Sequence, residues 1–428
     1  MRYEPFKPDF FIKNRKSLEK KLQKNSLVVL AGNELIPQSA DQFYPFRQNS
    51  DFYYLTGIDE ENAMLCLCPH HPDSKLREVL FIQETNPTMV IWNGKRLNKE
   101  EASEISGIKT IKWTSDFDMV LRNLALNSET IYLGLNEYTN FSSKFTDVNQ
   151  RLINKIKSEY PLHKYERLTP LTTELRLCKS KEEIQMTKKA IDITKEAFLA
   201  VLKMTKAGIM EYEIEAEITH NFIKRGASGH AFSPIVASGV NACILHYITN
   251  DSKIKNGDLV LIDFGAVYGN YTSDCSRTFP ANGNFSPRQK QCYNAVLDVL
   301  KESRKFFVPG TTIEEINKKV AALLENKMVE LGLFSKIDIK NNPSETPLYF
   351  KYYMHGASHF MGIDVHDVGS KPTVLKKGMI LTCEPGLYIK EENIGIRIEN
   401  NILVDEKPID LTADIPFEAD EIEFLMKK

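Results

Sequence analysis

Apolar positions along the chain follow two different periods, and the change from one to the other divides it. In the first part, Ser26-Leu-Val-Val-Leu-Ala31, Ala63-Met-Leu-Cys-Leu-Cys68, Glu78-Val-Leu-Phe-Ile82 and Thr130-Ile-Tyr-Leu133 are short apolar runs bounded by Gly, Asn or Pro, with the length and composition of strands. Arg15–Lys24 and Asp116–Leu126 read as the helices between them, so this part is an α/β domain. Pro161 and Pro170 then punctuate the chain. The boundary is expected near Thr169–Leu177, giving domains over 1–172 and 173–428.

The second part opens on a helix. Ser180-Lys-Glu-Glu183 is a capping box, in which the Ser oxygen and Glu carboxylate satisfy orphan N–H groups. Ile184, Ile191, Phe198 and Val201/Leu202 follow at helical spacing. Ser286-Pro-Arg-Gln289 and Thr312-Ile-Glu-Glu315 are two further boxes, and Ile214, Ile218 and Phe222, closed by Gly226, mark another helix. Between the helices lie strand-like segments at Asp258–Val267, Tyr271–Phe279, Met379–Cys383 and Ile394–Val404. The second part is therefore an α+β unit with helices around an antiparallel sheet. The order helix–helix–hairpin occurs twice, over 180–279 and 286–404, which suggests two equivalent halves.

Composition narrows the class. The 428 residues are 42% hydrophobic and 26% charged, which excludes a disordered or fibrous chain. Lys+Arg total 55 against 57 Asp+Glu, so no bulk charge recruits nucleic acid or an anionic membrane. Neither a bilayer-length apolar run nor a continuous apolar segment near Met1 is present. Seven cysteines are sparse and unpatterned, and Cys66-Leu-Cys68 lacks metal-site spacing and reads as buried packing. A reduced, soluble, cytoplasmic protein is expected.

Candidate chemistry lies in two hairpins. Asp263 ends the apolar run Val260-Leu-Ile, where a carboxylate without a partner is costly. A turn at Tyr268-Gly269 sets Asp263 directly opposite Asp274, and a turn at Gly269-Asn270 offsets them by two; both keep the carboxylates on one face. In the second hairpin a turn at Glu391-Glu392 sets Glu384 opposite Glu399. Like charges on buried faces call for a cation. Three histidines, His355, His359 and His366, cluster in the glycine-rich stretch Met354–Gly369, and His246 stands apart in Cys243-Ile-Leu-His-Tyr247. One imidazole with four carboxylates suits two divalent ions such as manganese, cobalt, iron or zinc, sharing a bridging water for hydrolysis.

The set Asp263, Asp274, His359, Glu384 and Glu399 resembles the five metal ligands of the dinuclear pita-bread metallopeptidases, which include methionine aminopeptidase, prolidase and aminopeptidase P. Phe46-Arg-Gln-Asn-Ser-Asp-Phe-Tyr-Tyr-Leu-Thr-Gly57 resembles the N-terminal signature of the proline-directed branch. Met354-His-Gly-Ala-Ser-His359 with Asp364-Val-His-Asp-Val-Gly369 is most similar to aminopeptidase P, since prolidases more often carry glycine at the place of Ser358.

The resemblance implies a pita-bread catalytic domain behind a smaller N-terminal α/β domain. By the same resemblance Asp263 holds one metal, Asp274 and Glu399 bridge both, and His359 and Glu384 complete the other shell. Manganese is the expected ion, with cobalt, zinc or iron compatible. Glu384 also takes the proton of the bridging hydroxide's parent water, His246, His355 and His366 contact substrate, and Arg397 and Tyr388 stand behind them. The implied substrate is a peptide with proline second, cleaved after its first residue. A homodimer or homotetramer is implied too, with Trp92 the aromatic to test at a neighbour's cleft and ordinary strand packing its alternative.

Two departures stand out: a short 389–394 segment that many relatives expand, and Cys275 beside Asp274, read as packing. Prolidase is the competing enzyme. Creatinase and histone-binding chaperone domains share the fold but lack the ligand set found here.

Overall fold

The computed structural model describes residues 3–138 and 144–427. The chain forms two compact units, Pro5–Arg176 and, with the extreme N-terminus, Leu177–Lys428.

In the first unit the four expected runs form strands, joined by two more. They are β1 (Ser26–Ala31), β2 (Met64–Leu67), β3 (Glu78–Ile82), β4 (Thr110–Trp113), β5 (Thr130–Leu133) and β6 (Lys164–Arg167). The sheet order is β4-β3-β2-β1-β5-β6, parallel within β3–β4 and β1–β5–β6 and antiparallel across β1–β2–β3. Leu27, Val29, Cys66, Val79 and Phe81 fill its core with Leu121 and Leu124 of the helix Phe117–Leu126.

The helix expected over Arg15–Lys24 runs instead over Pro8–Glu19 (α1). Pro8 is pre-set for a first turn, and Phe10, Phe11, Asn14, Arg15 and Leu18 form the buried face. The following Lys20–Lys24 stretch offers only Leu22 for burial, too little to hold another turn.

The family-like signature Phe46–Gly57 contains the helix Ser50–Thr56 (α2). Asn49 caps it by accepting from Phe52 N–H at 3.0 Å, and Gly57 ends it at φ +70°. Asp51 accepts from Thr172 and Arg176, which ties the signature to the end of its own unit.

The strand reading around Trp92 is corrected: Pro87–Asn93 (α3) is a helix, capped by Asn86 and stopped at Gly94, and Trp92 is 82% exposed.

The second unit carries the predicted helices α4 (Lys181–Met204), α5 (Glu211–Lys224), α6 (Pro287–Ser303) and α7 (Ile313–Glu330). The boxes at Ser180, Ser286 and Thr312 are all formed. Phe198, Phe222, Phe264 and Phe279, none accessible, join helices to strands in one core.

The first hairpin comprises β7 (Ile235–Ser238), β8 (Leu259–Phe264), β9 (Ala266–Tyr268), β10 (Tyr271–Thr272) and β11 (Cys275–Pro280). Asp263 pairs with Ser276 and Val267 with Thr272, which is the two-residue offset. Gly269 and Asn270 make the turn, both at positive φ as a tight I′ hairpin requires.

The second hairpin consists of β12 (Ile380–Cys383), β13 (Gly386–Ile389), β14 (Ile394–Arg397) and β15 (Asn400–Leu403). Gly386 pairs with Arg397 and Cys383 with Asn400, so one register continues on both sides of Glu384 and Glu399 and sets them opposite.

Each hairpin breaks its ladder at or close to its carboxylates. The first breaks at Gly265 and at Ser273-Asp274, the second at Glu384-Pro385 and Ile398-Glu399. A Cβ at Gly265 would lie 1.8 Å from the Ser273 carbonyl oxygen, a backbone atom that no rotamer change can move. Gly265→Ala should therefore force the hairpin apart and cost about 1–3 kcal/mol. Thermal denaturation reads this as a lowered midpoint, and an unshifted midpoint would contradict the close approach.

Candidate metal centre

Local backbone places each side chain before chemistry enters. Asp274 lies in the ladder break, where Asn401 holds its backbone, donating from Nδ2 to Asp274 O at 2.6 Å. Glu399 donates its N–H to Ser276 O at 3.1 Å, stitching the second hairpin onto the first. Glu384 donates its N–H to Ala357 O at 3.0 Å, and Thr382 N–H reaches His359 O at 2.9 Å. These bonds bring the irregular histidine-bearing segment against β12.

That segment is itself held by close contacts. Thr272 donates from N and Oγ1 to Gly362 O at 2.9 and 3.0 Å. Lys179 Nζ reaches Asp367 Oδ2 at 2.9 Å, both side chains being only 1% exposed. A Cβ at Gly362 would lie 2.3 Å from that same oxygen.

Asp274, His359 and Glu399 offer ligand atoms that all lie within 4.8 Å of one another. His359 Nε2 is 3.3 Å from Asp274 Oδ2 and 3.9 Å from Glu384 Oε1. Its Nδ1 sits 3.1 Å from Phe360 O, a contact that puts the proton on Nδ1 and leaves the Nε2 lone pair facing the carboxylates. Asp263 Oδ2 accepts from Arg397 Nη2 at 2.7 Å, while its Oδ1 is buried with no hydrogen-bond partner.

Burial, then the charges of Asp263 and Glu384, hold the Asp274 carboxyl well above its usual range. Glu399 is raised likewise by burial and by Asp274, and Glu384 by burial. An orphaned carboxylate oxygen, an imidazole lone pair and carboxyls that resist ionisation in each other's company fit a divalent cation.

Around this centre Arg397 is a buried hub. Its Nη2 binds Asp263, its Nη1 donates to Tyr388 Oη at 2.9 Å and its Nε donates to Ser276 Oγ at 2.8 Å. Ser276 Oγ in turn donates to Glu399 Oε2 at 2.7 Å. One guanidinium thus orients two of the carboxylates, one of them through a hydroxyl.

Tyr388 Oη lies 2.8 Å from His355 Nε2, and His355 Nδ1 lies 2.7 Å from Gly356 O and 3.8 Å from Glu384 Oε2. Burial and the nearby Arg397 push His355 down to about 3, so it is neutral at physiological pH. Tyr388 is pushed up to about 12 by burial.

His366 stacks edge-on against His359 with ring centroids 4.3 Å apart, and enclosure followed by that neighbour pushes it down to about 4. His246 is exposed on the turn after Ala242, within electrostatic range of both His355 and His366. The structure therefore gathers all the sequence-predicted site residues into one region of the second unit. Cys275 faces the apolar core, where burial pushes its thiol up to about 12.

Ser276, Thr382 and Asn401 escaped the sequence reading. Only Ser276 left a signal there, because the offset register makes it the cross-strand neighbour of Asp263. Thr382 Oγ1 accepts from His359 N–H at 3.0 Å, a contact across the chain that no spacing shows, and donates to Glu384 Oε1, two residues on, at 3.3 Å.

Asp274, His359 and Glu399 thus form a site between two antiparallel hairpins that can hold a divalent cation. Residues 185–406 match the family described as metallopeptidase family M24, and residues 11–132 match the aminopeptidase P N-terminal domain. The chain is 35% identical over 438 residues to the Xaa-Pro aminopeptidase of Escherichia coli K12, covering 97% of each. It is 30% identical over 416 residues to human Xaa-Pro aminopeptidase 3, covering 92% of this chain and 80% of the relative. Its fold matches the structure of zinc-substituted E. coli aminopeptidase P in complex with product, with a TM-score of 0.88, 34% identity and 99% of both chains covered. The chain belongs to metallopeptidase family M24, in its aminopeptidase P branch, and uses divalent metal.

Ser276→Ala removes the hydroxyl between Arg397 and Glu399 without changing the backbone pairing. Metal affinity should fall about 10- to 100-fold with the fold intact. Metal titration of the apoprotein measures it, and unchanged affinity would show that the hydroxyl does not orient Glu399.

Proposed function

We propose that this chain removes the first residue from peptides whose second residue is proline, using two divalent ions of which manganese is the expected kind. The observation that carries this reading is the paired break in the two hairpins, which crowds Asp263, Asp274, Glu384 and Glu399 around His359 in a chain of the aminopeptidase P branch.

Asp263 would hold one ion, Asp274 and Glu399 both, and His359 and Glu384 the other. When bound, the ions would lower the pKa of a shared water and polarise the scissile carbonyl.

The chain's own groups do the rest. The raised carboxyl of Glu384 suits a general base that takes the attacking water's proton and returns it to the departing prolyl nitrogen. That nitrogen carries no hydrogen in the substrate, so the bond is a tertiary amide whose leaving group must be protonated. His246, His355 and His366 line the place for substrate, the latter two as neutral rings that donate or accept without an ion's desolvation cost. Arg397 and Tyr388 hold Asp263 and His355 in place, and Asp263 attracts the substrate's free α-amine.

We also read the protein as a cytoplasmic homodimer or homotetramer. Trp92 and Ile91, 82% and 81% exposed on α3, support an aromatic contact with a neighbour. Among the described residues no helix is long and apolar enough to cross a membrane.

The test compares Xaa-Pro, Xaa-Pro-Yaa and Xaa-Ala-Yaa at equal concentration with manganese. Xaa-Pro-Yaa should be cleaved fastest, and N-acetylation should block it. Cleavage confined to the dipeptide would make the protein a prolidase, and faster cleavage of Xaa-Ala-Yaa would overturn proline specificity.

Metal and pH are linked. In metal-free protein Asp274 and Glu399, with raised folded pKa values, keep protons that the unfolded chain releases above about pH 4, so their contribution to stability falls as pH rises. Manganese needs the deprotonated ligands. Its addition should raise the melting midpoint more near pH 8 than near pH 5.5, and a pH-independent gain would break the ligand assignment.

A further inference from the structure

Outside the metal centre, the second unit buries another carboxylate, and its hydrogen bonds all lead to one segment. Glu211, at the first turn of α5, has no accessible surface. Its Oε1 accepts from Ser238 N–H and Ser238 Oγ, both at 2.7 Å, and from Asn241 Nδ2 at 3.2 Å. Its Oε2 accepts from Tyr247 Oη at 2.8 Å and Ser252 N–H at 2.9 Å. The Glu211 backbone N–H also reaches Ser252 O at 3.0 Å. A carboxylate so saturated is stable when buried, and a rigid acceptor of this kind fixes whatever its donors belong to.

The donors belong to residues 238–252, the segment that carries His246. Tyr247 follows His246 directly, and its ring lies in the apolar cluster of Ala242, Leu261 and Tyr388. Ala242 is pressed against β14, where a Cβ at Gly395 would lie 2.2 Å from the Ala242 carbonyl oxygen. The segment is thus pinned at Ala242 on the strand that bears Arg397, and at both its ends on Glu211.

His246 itself is exposed, on a turn with no regular ladder to hold it. We infer that Glu211 is a positioning residue for His246, clamping the 238–252 segment through Ser238, Asn241, Tyr247 and Ser252 so that the imidazole faces the substrate's place. The inference rests on the reading of His246 as a substrate contact.

Two variants test it. Glu211→Gln puts an amide N–H₂ against donors on one side of the clamp, and Tyr247→Phe removes a single hydroxyl while keeping the ring. Each is measured on Xaa-Pro-Yaa in the manganese-loaded enzyme, alone and combined with His246→Ala, alongside metal content and melting midpoint. Each single variant should lose about 10- to 100-fold in kcat/KM with metal stoichiometry unchanged. In the His246→Ala background the further loss should shrink to about twofold or less, because the clamp then has nothing to position.

Equal losses in both backgrounds, with His246→Ala itself impaired, would overturn the positioning role while leaving His246 its own. An unimpaired His246→Ala enzyme would overturn the role of His246, and this inference with it. If Glu211→Gln does not fold, Tyr247→Phe alone decides the matter by the same comparison.

Discussion

Crowding four carboxylates into a water-poor space is the constraint on which this structure turns. Burial, followed by the neighbouring carboxylates, raises the carboxyls of Asp274, Glu384 and Glu399. Arg397 relieves part of the constraint permanently, holding Asp263 at 2.7 Å and steering Glu399 through Ser276. The rest is left for a divalent cation. The geometry follows from that division: a fixed cation on one side of the carboxylates, and a buried oxygen of Asp263 without a partner on the other.

Backbone irregularity serves the same end. A regular ladder spaces side chains too evenly to converge on a point, so both hairpins interrupt their pairing at Asp274, Glu384 and Glu399 and two residues beyond Asp263. Pro385, which has no N–H to lose, sits in one break, and Gly265, with no room for a Cβ, in the other. The histidines come from a glycine-bearing stretch whose shape is set from outside, by Thr272 at Gly362 and by the buried Lys179–Asp367 pair.

Much of this was legible in the sequence, because it depended on local rules. The capping boxes at Ser180, Ser286 and Thr312 reproduce their sequence signature, and the glutamate pairing followed from hairpin counting alone. Counting left two registers open at Asp263, and the choice fell to Gly269 and Asn270, both able to adopt positive φ. The misses have both tertiary and local causes. α1 starts earlier than the expected Arg15–Lys24 because Phe10 and Phe11 have a core to enter, and α3 replaces a strand because Asn86-Pro87 is a helix start in a stretch with β-branched residues. Thr382 and Asn401 reach His359 and Asp274 by contacts far apart in the chain, which a linear reading does not contain.

The second hairpin keeps one register on both sides of its glutamates, which separates its tip from its chemistry. Among the described residues the tip is tied to its surroundings by ion pairs of Glu392 with Arg288 and Glu391 with Lys351, and surface pairs of this kind contribute little. A segment spliced between Ile389 and Ile394 leaves the two strands paired as they are, whereas one residue added within either arm turns a glutamate to the opposite face. The tip is therefore an interchangeable part, a place where loops of any length can be grafted, by evolution or by design, onto a centre that does not register the change.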